Sequence, residues 1–344
     1  MEYVPVLYAK QGELLALRKT EPWVRARIRP VLEVMPREGP ARAVDALLTA
    51  VRRWLKTECK VAVDFHHLRL PREADGRALR VLSAGLAEES VTAVPVFRPG
   101  DGPVALAEAG HMHLLHRAGG CLRLTLDEVE HRQYESLGDE IWRVLRAVEL
   151  LPSEVDLLLD AGHVGDEAAV ERMALRAVRA VDWAWPFGWR STALTSGAFP
   201  ATLPRSSYRL QVLRRHDLDL WGRTRELLGG FALDYGDHGP THVGRYDEDE
   251  EGPAGLRYLN GPHWYVMRAA SARGSDCLKL YRRFTDSTVW PTNPAAFSWG
   301  AGQIAAYAAR QDGEKSGGHR ERRAWDTSHH LASVVRFIIR GGHP

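Results

Sequence analysis

One pattern recurs along the chain: a short apolar run, then a longer stretch whose apolar residues fall at helical spacing. Residues 4–9 (VPVLYA), 28–35 (IRPVLEVM), 61–65 (VAVDF), 91–97 (VTAVPVF), 121–126 (CLRLTL) and 155–160 (VDLLLD) have the length and composition of buried strands. Residues 189–196 (WRSTALTS) and 231–235 (FALDY) supply a seventh and an eighth. Between them lie amphipathic stretches. Val44, Leu47, Leu48, Val51, Trp54 and Leu55 form one stripe, and Ile141, Val144, Leu145 and Val148 form another ahead of Pro152. Further helices are predicted over 76–87, over 166–182 with Asp166 as its cap, and over 218–228. About eight strand-then-helix units predict parallel strands closed into a (β/α)8 TIM-type barrel. The competing open, doubly wound sheet would carry a glycine-rich turn after an early strand, and none is present. Pro5, Pro30 and Pro95 fall inside strand candidates, so each is expected at or near a strand start, where a missing N–H is tolerated.

Residues 236–324 break the repeat. The apolar stripe Leu331, Val334, Val335, Ile338 and Ile339 reads as the last barrel helix, which makes 236–324 a long insertion between strand eight and that helix. The expectation is a single barrel domain over 1–344, with the insertion as a lid over the mouth. Within it, 247–251 (DEDEE) reads as a solvated loop. Residues 256–268 read as a β-hairpin turning at Asn260-Gly261 through a type I′ turn. Residues 314–323 read as polar and mobile, and His329-His330 as the opening of the final helix with Ser328 as its cap.

Composition narrows the class. Lys and Arg number 46 against 44 Asp and Glu, a net charge of +2, without the strong basic excess of a dedicated nucleic-acid binder. The 3 cysteines, Cys59, Cys121 and Cys277, are far apart and lack CxxC spacing, which argues for a reducing compartment rather than a disulfide scaffold or zinc ribbon. The first residues lack the charged-then-apolar order of a signal peptide, and no apolar run approaches the ~18 residues of a membrane span. A cytoplasmic protein without a membrane partner is expected.

Barrel enzymes place their chemistry at the C-terminal ends of the strands. Taken from the predicted strands, those positions are Lys10, Glu33, Asp64, Arg98, Thr125, Asp160, Thr195 or Ser196, and Asp234. Four carboxylates at one opening would repel one another unless cations share the site. Lys10 and Arg98 are the candidate counter-charges, and a divalent metal is the other. His66, His67, His163, His238 and His242 also follow strands, although no HExxH or comparable ligand spacing fixes a metal set. Acidic residues at strand ends also commonly cap the next helix, and His66-His67 reads equally as one core and one surface side chain. Trp183, Trp185, Phe187 and Trp189 cluster before strand seven. Such aromatics stack bases or sugars in some proteins and form the core beneath loops in more. A GxSxG elbow, a Walker loop and an SxxK motif are all missing.

Several pieces, in order, resemble the Beta protein family, named after a T-even phage protein. They are the opening YVPVLxxKxGExxAL, residues 28–34 (IRPVLEV), Asp234-Tyr-Gly-Asp-His, Trp264-Tyr-Val-Met-Arg, Phe297-Ser-Trp-Gly and 325–330 (WDTSHH). The resemblance spans nearly the whole chain. It implies a TIM-type barrel associated with phage–host conflict or defence, and recurrent polar positions at Lys10, Glu13, Glu33, Asp64, Asp234, Trp299, Trp325 and His330. This chain departs from the family pattern at Ala301, where relatives carry a polar or acidic residue.

The expected function is a barrel-mouth hydrolase acting on a phosphorylated or nucleotide-like ligand in a phage-defence setting, with a divalent metal as the candidate cofactor. Glu33, Asp64, Asp160 and Asp234 are the expected catalytic groups. Lys10, Arg98, His67, Trp299 and His330 are the expected contacts to a small anionic ligand. The alternative is a non-catalytic sensor that binds a phage or defence-system protein through the insertion.

Overall fold

The computed structural model describes residues 2–55, 58–68, 76–131, 134–203, 206–244 and 253–340. Eight parallel strands close into a barrel in chain order: β1 (Tyr3–Tyr8), β2 (Val31–Glu33), β3 (Cys59–Asp64), β4 (Val91–Phe97), β5 (Gly120–Thr125), β6 (Val155–His163), β7 (Ser191–Gly197) and β9 (Asp234–Asp237). The ring closes where Tyr3, Val4 and Pro5 of β1 pair with Tyr235, Gly236 and Asp237 of β9. The chain divides into two compact units. The first holds the barrel: residues 1–9, 29–197 and 216–238. The second gathers 10–28, 198–215 and 239–344.

Side chains alternate inward and outward along each barrel strand. Val4, Val6, Val31, Val94, Val96, Cys121, Leu158 and Ala193 face inward and pack into one cluster. Their branched shapes fill the barrel as a core, and burial pushes the Cys121 thiol up to about 12, so it is an inert packing group. Outward residues such as Leu122, Leu124, Leu157 and Leu159 are also buried, on the helix-covered face. This two-sided burial explains why the strands read as nearly continuous apolar runs.

Two prolines lie deeper in their strands than expected. Pro5 is paired with Asp237 and Pro95 with Val63. Each sits one residue before pairing with the following strand begins, at Val6↔Val31 and at Val96↔Cys121. The stagger of the barrel delays that ladder by one step, so the proline lacks an N–H where pairing to the next strand has not yet begun. The helix Glu167–Ala184 starts as predicted, with the Asp166 carboxylate accepting the Ala169 N–H at 2.7 Å.

The second unit has its own antiparallel sheet, ordered β10 (Gly255–Asn260), β11 (His263–Arg268) and β8 (Gln211–Arg214). β10 and β11 form a hairpin turning at Gly261-Pro262, with Gly261 at φ 57°. A type I′ turn needs positive φ at both central residues, and the ring of Pro262 forbids it, so the predicted turn type is corrected. Leu256, Tyr258, Leu280, Tyr281, Phe284 and Trp325 pack into this unit's core.

Its longest helix, His319–Ile339, begins well before the predicted start. Residues His319 to Arg323 are therefore ordered helix rather than mobile chain. Glu321 accepts the Gly318 N–H at 3.0 Å to seal the start, and Arg323 is buried with its Nε 3.7 Å from Glu13. Ser328 is mid-helix and does not cap its own helix; its hydroxyl accepts the N–H of Gly300, in the first turn of helix Trp299–Ala308, at 3.2 Å. The acidic run 247–251 lies outside the described residues.

Candidate functional site

The inward alternation continues past the apolar layer. Two residues beyond Val31 stands Glu33, and the same step leads from Ala62 to Asp64, Val96 to Arg98 and Cys121 to Arg123. It leads likewise from Leu158 to Asp160, Ala193 to Thr195 and Gly236 to His238. A polar layer thus caps the apolar one at the C-terminal end of the barrel, built by a two-residue period rather than by any contiguous motif.

Arg123 is the hub. Its Nη1 donates to Glu33 Oε1 and to Asp64 Oδ2, each at 2.7 Å. Its Nε and Nη2 reach Asp160 Oδ2 at 3.0 and 2.6 Å. Arg98 grips Asp64 in the two-pronged fashion of a guanidinium, with Nη1 to Oδ1 at 2.9 Å and Nη2 to Oδ2 at 2.6 Å. Backbone also bonds two of the carboxylates: His66 N–H donates to Asp64 at 3.1 Å and Gly162 N–H to Asp160 at 2.8 Å. At the edges stand two imidazoles, His67 Nε2 at 3.7 Å from Glu33 Oε1 and His238 Nε2 at 3.9 Å from Asp160 Oδ1.

Burial by itself would raise all three carboxyl groups, and the partners outweigh it. Asp64 is held well below the usual carboxylate range by Arg98 first and Arg123 second. Asp160 is held there by Arg123 and His238, and Glu33 is lowered by His67 and Arg123. Burial opposes charge on Arg123 as well, yet Asp160, Glu33 and Asp64 carry it well above its ordinary value. The carboxylates are therefore permanent anions near neutral pH. They can orient and stabilise an imidazolium; as proton donors they are poor.

Three of the four predicted catalytic carboxylates, Glu33, Asp64 and Asp160, meet here with two predicted contacts, Arg98 and His67. Asp234 does not. It is the first residue of its strand, not the last, because β9 runs from Asp234 to Asp237 instead of ending near Tyr235. At the N-terminal end of the barrel it accepts the Glu2 N–H at 2.8 Å and pairs with Arg29. Thr125 is a cap: Glu128 accepts its N–H and its hydroxyl, each at 2.9 Å.

Lys10, Trp299 and His330 belong to the second unit. The Lys10 carbonyl accepts the Leu14 N–H at 3.1 Å at the start of helix Gln11–Lys19. Trp299 opens helix Trp299–Ala308, its N–H donating to Glu21 at 2.7 Å. His330 is buried, stacked on Trp264 at 4.8 Å. Its neighbour His329 bonds the Leu259 carbonyl at 2.8 Å, and burial pushes its imidazole down to about 3.

Arg123 is not among the strand-end positions read from the sequence because Thr125, the last polar residue of the run 121–126, stands closer to its end. The signal was present in CLRLT, where the two flanking leucines point outward and leave arginine inward. The cation joining the carboxylates is thus a guanidinium. Among the described residues, no group of three or more His, Cys, Asp and Glu side chains is arranged to hold a metal ion. Among them, too, no helix is long and apolar enough to cross a membrane.

The model of the Beta protein family matches residues 3–336. No curated protein matches the chain. Solved structures of similar architecture include an arginine decarboxylase from Paramecium bursaria Chlorella virus, bound to agmatine, at 10% identity and a TM-score of 0.36, covering 76% of this chain and 69% of that one. The biosynthetic arginine decarboxylase SpeA from Campylobacter jejuni has 10% identity and a TM-score of 0.42, covering 99% of this chain. The match spans 57% of that enzyme's length.

Proposed function

The chain belongs to the Beta protein family, and we propose that it is a barrel enzyme moving protons with His67 and His238 on a small phosphorylated or nucleotide-like ligand. The observation carrying this reading is the pair of imidazoles, 3.7 and 3.9 Å from Glu33 and Asp160, whose carboxylates share Arg123. A histidine backed by an ionised carboxylate is a proton-transfer device: the anion fixes the ring and stabilises the imidazolium that forms.

In hydrolysis, one neutral imidazole accepts a proton from water as the water oxygen bonds to phosphorus. The other, protonated, gives its proton to the leaving oxygen as its bond to phosphorus breaks. Glu33, Asp64 and Asp160 against Arg98 and Arg123 leave the polar layer one negative charge. With one imidazole protonated, as the reaction requires, the layer is neutral, so an anionic phosphate group meets no net repulsion there. The defence setting implied by the family makes nucleotides the first substrates to try.

Purified protein incubated with nucleoside mono-, di- and triphosphates and sugar phosphates is expected to release inorganic phosphate. His238→Gln should cut that release roughly 10²- to 10⁴-fold while leaving the melting temperature near wild type. No release from any of them by the wild type would overturn the reading. The sensor alternative rested on the insertion, meaning its acidic run and the Trp264 hairpin; the run lies outside the described residues, and Trp264 is buried rather than presented to a partner.

A further inference from the structure

One member of the polar layer is unexplained by the ion-pair network. Thr195 is fully buried and its Oγ1 has no hydrogen-bond partner. It faces inward, two residues beyond Ala193, and its Cα is in register with Asp160 on one side and Gly236 on the other. Other buried hydroxyls without a partner, Ser83 and Thr327, lie within helices, among backbone carbonyls of the preceding turn. Thr195 lies in a strand whose backbone is already engaged with both neighbours.

The neighbouring strand is shaped to this side chain. A Cβ at Gly236 would stand 2.8 Å from Thr195 Cβ, 3.0 Å from its Oγ1 and 3.0 Å from the Val4 carbonyl. Gly236 is not among the positive-φ glycines, so its missing side chain serves space and not backbone conformation. Valine has almost the shape of threonine and would fill this position without the penalty of an unsatisfied buried hydroxyl. A threonine here forgoes stability.

We propose that Thr195 Oγ1 is a ligand-binding hydroxyl of the polar layer, hydrogen-bonding an oxygen of the phosphorylated or nucleotide-like ligand beside Asp160 and His238. This rests on the function proposed above, deepening it by one contact. A hydroxyl both donates and accepts, so it serves a phosphoryl or hydroxyl oxygen of the ligand equally well.

The test compares wild type, Thr195→Val and Thr195→Ser by thermal unfolding, alone and with AMP or inorganic phosphate as probes. Without a probe, Thr195→Val should melt about 1–3 °C above wild type, the direction expected when an unsatisfied polar group is removed. It should also lose the probe-induced rise that wild type and Thr195→Ser show. A lower melting temperature for Thr195→Val would mean the hydroxyl is structural, and a full probe-induced rise in that variant would mean it does not touch the ligand; either overturns the proposal. Should Thr195→Val melt higher while wild type responds to neither probe, the ligand class of the proposed function fails, and the assignment of Thr195 to that ligand falls with it.

Discussion

The two ends of the barrel each carry a charged cluster on the same inward face, separated by one apolar layer. At the N-terminal end, Arg29 meets Glu2 at 2.6 Å, Asp156 at 2.9 Å and Asp234, while Arg190 and Ser191 bond Asp156 at 2.7 Å. At the C-terminal end, Arg123 and Arg98 hold Glu33, Asp64 and Asp160. The chemistry of the pairs is alike; the surroundings are not. Arg29 and Asp234 keep 24% and 16% of their side-chain surface, whereas Arg123 and Asp64 keep 6% and 0%. Solvent screens the first cluster more than the second. Burial makes the second expensive, and that cost, with two imidazoles and a hydroxyl set around the cluster, is the ground on which the catalytic reading is proposed.

The largest effect should come from the hub. Arg123→Met leaves three buried carboxylates without their shared cation and should cost about 3–5 kcal/mol in urea unfolding, or prevent folding. A loss under about 1 kcal/mol would erase the distinction between the two ends. Next is His238→Gln, whose loss of turnover with an unchanged melting temperature separates a proton-transfer role from a structural one.

Acid should discriminate further. Asp64, Asp160 and Glu33 titrate lower when folded than unfolded. Their contribution to stability is fully present above the ordinary carboxyl range near ~4 and fades as pH falls below it, at about 1.4 kcal/mol per unit of downward shift. Wild type should lose stability steeply below that range. Asp64→Asn should lose part of that slope and, unlike a purely catalytic substitution, should also melt lower at neutral pH. The smallest effect is expected at the opposite end. Asp234→Asn should cost no more than about 1 kcal/mol and leave turnover intact; abolished activity in that variant would return Asp234 to the site from which its place in β9 removes it.

Local signals were enough to find most strands within a few residues, because apolar runs and capping residues such as Asp166 act over short distances. They failed where a boundary mattered. Ending the eighth strand near Tyr235 placed Asp234 at the wrong end of the barrel, and ending the fifth at its final residue hid Arg123 two steps inside. Proline misled for a related reason: whether Pro5 or Pro95 interrupts a ladder depends on the register of the adjoining strand, and that register is not a property of either segment alone. The residues after 236 misled most. They read as one excursion, while stretches from three parts of the chain build the second unit and two of those stretches build its sheet.

What the order of residues determined by itself is periodic: strands alternating with helices, inward positions every second residue, and therefore a barrel with charge beyond its apolar layer. Tertiary structure alone decided which of those charges share a partner. Three carboxylates separated by tens of residues in sequence become one buried network only when barrel closure brings Arg123 among them. Their ionisation depends on that distance and on the exclusion of water, and a linear pattern encodes neither.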